Sequence, residues 1–247
     1  MCRRLYFIFV VLAFLPFSAD AEEVRHIVTA GPCWETFTNR DGSGLYHEIM
    51  RAVFDQYGIT IHHEYVPTDR GDELVRLGQA DVMTCDDRAA APLVSGRYPM
   101  FVNDFYVFFS KKRIGPWKGV ETLRGKEVAC QLAYYHDWDF PVPVRIRDMP
   151  SGVKCLEMVL LGRTDFYADD MSFINTSIRE SGLSFDKDAY DTQVAGTRSY
   201  HPLFNQSPRG KHLRRLYEEG IFALHKAGKL KAIYTKWGHS YPDFDNF

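Results

Sequence analysis

Short apolar runs of strand length alternate with segments of helical periodicity through most of this 247-residue chain, and that alternation restricts it to an α/β fold. A strand is expected over 24–30, followed by a loop holding Gly31, Pro32, Asp41, Gly42 and Gly44. Leu45, Ile49, Ala52 and Val53 recur at helical spacing, so a helix is expected over 44–57. A β-branched and aromatic run predicts a strand over 59–66. Thr68 or Asp69 can then cap a short helix carrying Leu74, Val75 and Leu77, and a strand returns over 80–84. The pattern restarts with strands over 105–110, 126–131 and 142–146, a helix over 151–161 and a strand over 165–168. Two apolar stripes end the chain, Leu213, Leu216, Tyr217, Ile221 and Leu224, then Leu230, Ile233, Tyr234 and Trp237 after Gly228. Helices at this position must pack on a sheet already built, so the chain's end is expected to return to the first unit.

The first 21 residues read as a secretory leader. Arg3 and Arg4 precede an apolar run over 5–17, and Ala19-Asp20-Ala21 supplies a small-x-small site, so cleavage is expected after Ala21, with a periplasmic destination. Thirteen apolar residues are too few for a membrane span, which needs about 20. Cys2 precedes the run, so the lipoprotein arrangement is absent. The other cysteines, Cys33, Cys85, Cys130 and Cys155, are even in number, which favours pairing in an oxidising compartment and leaves three connectivities open.

Lys and Arg number 30 against 32 Asp and Glu, with both signs interspersed. A surface that tracks phosphates needs a clustered basic excess, so nucleic acid is not an expected partner. No Gly-x-Ser-x-Gly elbow, His-Glu-x-x-His or phosphate loop occurs. His62 and His63 would lie on one strand and face opposite ways, so they cannot share a metal from there. No metal, cofactor or catalytic residue is expected.

Several ordered segments carry a resemblance: Gly44-Leu45-Tyr46 before a helix, Leu77-Gly78-Gln79-Ala80-Asp81 before a strand, and Leu123-Arg124-Gly125-Lys126-Glu127-Val128 opening the second unit. Leu161-Gly162-Arg163-Thr164-Asp165, Gly228-Lys229-Leu230 and Ile233-Tyr234-Thr235-Lys236-Trp237 complete the set. In this order they resemble the extracellular solute-binding proteins of family 3, the polar-amino-acid group with the type 2 periplasmic binding fold. The resemblance implies two α/β lobes closing on a solute, lobe 1 from 22–104 and 196–247 and lobe 2 from 105–195. It also implies a monomer that delivers its solute to an inner-membrane ABC permease. Two other functions share the scaffold: a sensory module that presents its liganded form to a receptor, and an enzyme like periplasmic cyclohexadienyl dehydratase, with Glu48, His47, His136 and Asp170 as acid candidates.

Ligands in such sheets sit beyond the carboxyl ends of strands. Cys85-Asp86-Asp87-Arg88 stands where the family has Thr-Pro-Glu-Arg, so Arg88 is implied as the carboxylate clamp, the alternative being a surface arginine paired with Asp86 or Asp87. Asp170 ends the Gly-Arg-x-Asp-x-x-x-x-Asp run and is implied as the ammonium receptor, with Asp169 its competitor and a helix N-cap the alternative role. Trp34 and Phe37 lie where the family covers its ligand with an aromatic side chain, and Tyr134 and Tyr135 lie on the facing loop, where Ala133-Tyr134-Tyr135 replaces the usual Gly-Thr-Thr. Arg70 opens a helix beside the same cleft. The strand arrangement the resemblance implies also suggests disulfides Cys33 to Cys85 and Cys130 to Cys155.

Overall fold

The computed structural model describes residues 24–132 and 134–247, so the expected leader lies outside the described residues. In chain order the elements are β1 His26–Gly31, α1 Leu45–Phe54, β2 Thr60–Tyr65, α2 Thr68–Arg76, β3 Val82–Asp86, β4 Val94–Ser95, β5 Phe101–Ser110 and α3 Lys111–Ile114. They continue with β6 Glu127–Gln131, β7 Arg145–Met149, α4 Gly152–Leu160, β8 Phe166–Asp169, α5 Met171–Glu180, β9 Tyr190–Phe204, α6 Pro208–Lys226 and α7 Lys229–Trp237. The fold is α/β, as expected.

The strand order β2-β1-β3-β9-β5-β8-β6-β7 contains one pattern twice. A parallel triplet, β2-β1-β3 or β7-β6-β8, is closed by an antiparallel strand, β9 or β5. The two closing strands pair with each other from Phe101 opposite Tyr200 to Ser110 opposite Tyr190, so they run through both halves of the molecule.

Period-two alternation gives each half two buried faces. In the first half, Ile27 and Val82 face Leu45, Ile49 and Val53 of α1 together with Leu213, Tyr217, Ile221, Leu230 and Tyr234 of the last two helices. Ala30, Met83 and Leu203 face Leu74 and Val75 of α2 on the other side. In the second half, Val107, Val128, Cys130 and Phe166 lie under Tyr135, Phe140 and Val142, while Phe108, Ala129 and Tyr167 meet α4 and α5. The Val, Leu, Ile, Phe and Met side chains among these contribute roughly 1.5–3 kcal/mol each by leaving water.

Three departures from the sequence reading have plain causes. The helix expected over 44–57 is α1 plus a separate 3-10 turn Asp55–Tyr57 that ends at Gly58, φ 67°. The strand expected over 142–146 is β7, shifted to 145–149, because Pro141 and Pro143 cannot donate to a ladder and Val142 is drawn into the core. The four cysteines are free thiols, and neither expected disulfide forms. Cys130 points into one face of the second-half sheet, whereas Cys155 sits on α4 against the other, beside Ala129, so the sheet stands between them. Cys85 is buried against the Tyr46 hydroxyl while Cys33 is exposed. No helix among the described residues is long and apolar enough to cross a membrane, and no group of three His, Cys, Asp or Glu among them could hold a metal.

Candidate functional site

The loops after β3, β6 and β8 converge on the middle of β9, at a residue the sequence reading did not single out. Arg198 lies opposite Asn103 in the β5–β9 pairing. Its Nε donates to Asp87 Oδ2 at 2.6 Å, Nη2 donates to the same oxygen, and Nη1 donates to the Tyr134 carbonyl at 2.8 Å. One guanidinium thus joins the loop after β3 to the loop after β6. Its carbon stands 4.8 Å from the Tyr135 ring centroid and 5.3 Å from that of Tyr200, within cation-π range. Burial opposes the charge, but Tyr200, Asp87 and Asp139 more than offset it and hold the pKa above the ordinary arginine value.

Asp170 faces the same space. It precedes α5 but makes no side-chain cap bond, so the N-cap alternative does not hold. Instead it accepts the Tyr135 hydroxyl at 3.1 Å. Burial raises its pKa, while Tyr135, Arg198 and Asn103 pull the other way. Asp169 is only 1% exposed and is consumed internally, accepting from Gln131 Nε2, the Tyr167 hydroxyl and the Asp170 amide, each at 2.9 Å. It braces the end of β8.

Arg88 makes no ion pair with Asp86 or Asp87. Its amide donates to Asp86 Oδ1 at 3.2 Å, and its guanidinium carbon lies 4.3 Å from the ring of Trp138, which is stacked on His136 and is 56% exposed. A residue of the first half therefore meets an aromatic of the second across the cleft. Burial and a hydrogen bond with Asp87 push Asp86 up to about 7.

The other expected residues are spent elsewhere. Phe37 is stacked on His239 at 4.4 Å and packs on Tyr46 and Phe101, and Trp34 is half-buried edge-on to Tyr46. A Cβ on Gly44, at φ 123°, would meet the Phe37 carbonyl oxygen at 2.3 Å, so this loop needs glycine to close onto α1. Tyr134 is half exposed, meets Phe173, and contributes its carbonyl to Arg198. Arg70 pairs with Glu73 at 2.5 Å on the outside of α2. The acid candidates are not brought together either, since Glu48 is held by Lys236 and Trp237 on α7.

Arg198 and Tyr200 are two apart on a strand and share a face, a relation legible once β9 is known to be a strand. The signal for that strand was weak, because its middle is half exposed on both sides.

No family model and no curated protein matches the chain. Solved structures do. A histidine kinase sensor domain with similarity to periplasmic binding proteins superposes with TM-score 0.59 at 21% identity, covering 89% of this chain and 99% of that one. An ancestral arginine-binding protein bound to arginine gives 0.55 at 15%, covering 87% and 99%. An ancestral amino acid-binding protein, a precursor of cyclohexadienyl dehydratase, gives 0.56 at 14%, covering 86% and 94%. At these identities the likeness speaks for architecture alone: the chain has the two-lobed α/β fold of periplasmic binding proteins.

Proposed function

We propose that the chain is a solute-binding module that holds a small polar solute, amino-acid-like or a small organic ion, between lobes divided near 104 and 196. The observation that carries this reading is Arg198, one guanidinium bonded to both jaws with Asp170 in its field, beside Arg88 of the first half stacked on Trp138 of the second. The Arg88 guanidinium, stacked on an exposed ring and bonded to no carboxylate, is the group we assign to an anionic end of the solute. Half-buried Asp170, whose side chain makes no cap bond, is the group we assign to a donor of the solute. Delivery to an inner-membrane importer is the role we assign. Presentation to a receptor is the second reading, favoured by the likeness to a kinase sensor domain over nearly that domain's whole length.

A thermal-shift screen of amino acids, polyamines and small organic acids tests the binding role, because a ligand of the native state raises its apparent stability. For a hit, Arg88→Ala and Asp170→Asn should each remove about 1.5–3 kcal/mol, roughly ten- to a hundredfold in affinity, by calorimetry. Parent-like binding in both would reject the assignment. Conversion of prephenate or arogenate, abolished by His136→Ala or Asp170→Asn, would make the chain an enzyme.

A further inference from the structure

A cavity of about 310 Å³ opens in the first half between α1, the edge strand β2 and the turn over 39–43. Its volume is at the lower end of small-molecule sites, about 300–1,000 Å³. None of Arg88, Asp170 or Arg198 lines it.

Its floor is a hydrogen-bonded row of buried polar groups. Thr29 and His63 are register partners on β1 and β2, with Thr29 Oγ1 2.8 Å from His63 Nδ1. Alternation along β3 returns Thr84 to the face of Val82, so it lies on this floor too, 3.3 Å from the same nitrogen. Thr84 donates its own hydroxyl to the Ala30 carbonyl at 3.1 Å, so toward His63 it accepts. That network assigns the proton to Nδ1 and leaves the lone pair on Nε2, which is buried and has no partner. A donor that reached this nitrogen from the cavity would satisfy it.

Beside it, His47 is 7% exposed and donates from Nε2 to the Tyr65 oxygen at 3.0 Å, since the Tyr65 hydroxyl itself donates to the Asn39 carbonyl. Burial lowers both histidines to about 4, so two uncharged imidazoles face each other at 4.7 Å. The mouth carries the opposite character. Arg51 donates to the Gly42 carbonyl at 2.8 Å and Arg40 lies 5.5 Å over the Tyr65 ring, leaving both guanidiniums free of a bonded carboxylate among the described residues. The one acid of this rim, Asp41, is turned onto the amide and hydroxyl of Ser43 at 2.9 and 2.6 Å.

We propose that this cavity is a second small-molecule site, independent of the interlobe cleft, for a small carboxylate bearing a hydroxyl or amino hydrogen. The two rim guanidiniums receive the carboxylate, and the histidine-threonine floor receives the polar hydrogen.

The test uses the full chain, with the imidazole resonances of His47 and His63 followed by NMR as glycolate, glycine and propionate are added. Glycolate or glycine should shift both rings saturably, and propionate, which lacks the hydrogen, should bind about tenfold more weakly. Arg51→Met and Arg40→Met, both on the exposed rim, should each weaken the titration about tenfold. His63→Leu should abolish the response at His47, and Asp170→Asn should leave it unchanged. Unsaturable shifts with both probes, equal affinities in the rim variants, or loss of the response in Asp170→Asn would each overturn the second site, the last by placing the probe in the cleft.

Discussion

In the first half the chain leaves β1 through a long loop and returns to β2 by way of α1, seven of whose ten residues are buried on the sheet. In the second half it leaves β6 and reaches β7 with a single 3-10 turn, Asp137–Asp139, between prolines and aromatics. The strand orders on either side are the same. A parallel triplet needs its face covered, and Tyr135, Phe140 and Val142 do there what Leu45, Ile49 and Val53 do opposite. A helix satisfies its own backbone and presents only side chains. A loop leaves carbonyls free, and the Tyr134 carbonyl that accepts from Arg198 is one of them. The half without the helix therefore supplies more of the cleft.

The comparison breaks most sharply in the cores. Phe54→Ala in α1 and Phe140→Ala in the loop should each cost about 3–5 kcal/mol if loop cover packs as densely as helix cover. Urea midpoints for the pair measure this, and a cost under about 1 kcal/mol at Phe140 would show the loop to be loosely laid on its sheet. Next, Arg198→Ala strips the counter-charge from Asp87 and should cost about 3 kcal/mol, the low end for a buried pair, since 16% and 18% of the two side chains remain exposed. Asp87→Ala in the same background should add little, because the partners act as a unit.

Acid should act unevenly on the first half. The folded state holds His47 and His63 near 4 against about 6.5 unfolded, so the unfolded chain takes protons first. Their contribution is present above pH 6.5 and is lost as pH falls through 4. Asp86, raised to about 7, has the opposite sign: its contribution is full below about 4 and is lost as pH rises through 7. Urea midpoints taken from pH 8 to 4 should therefore fall more steeply in Asp86→Asn and less steeply in His63→Phe; parallel curves for all three proteins would deny these titrations. The smallest effect separates two helix starts. Ser151 caps α4 by accepting from the Lys154 amide, while α1 begins at Gly44 with no side-chain cap. Ser151→Ala should cost about 1 kcal/mol in thermal melts.

The regular elements were legible because their periodicities are enforced by burial on one face. The stripe from Leu213 to Leu224 is buried along α6, and the helix breaks at Gly228 with φ 69°. The position of Asp170 just past β8 was legible from the strand expected over 165–168. Arg198 was not, since the stretch of β9 around it is half exposed on both faces and shows no alternation. The cysteine count misled because pairing depends on which side of the sheet a thiol lies, and Cys130 and Cys155 lie on opposite sides.

The long strand β9 also orders the assembly of the molecule in time. Met83 pairs with Leu203, the Tyr217 hydroxyl bonds the Tyr98 carbonyl 119 residues away, and the Tyr234 hydroxyl bonds that of Met100 across 134. Closing a loop of that length costs about 4 kcal/mol in chain entropy before any contact repays it. The second half closes mostly on neighbours within its own stretch of chain, so it can form while the amino-terminal strands still wait for their last helices. A ribosome releasing this chain from the amino end thus delivers first the half whose long-range contacts close last, and such closures are slow to form.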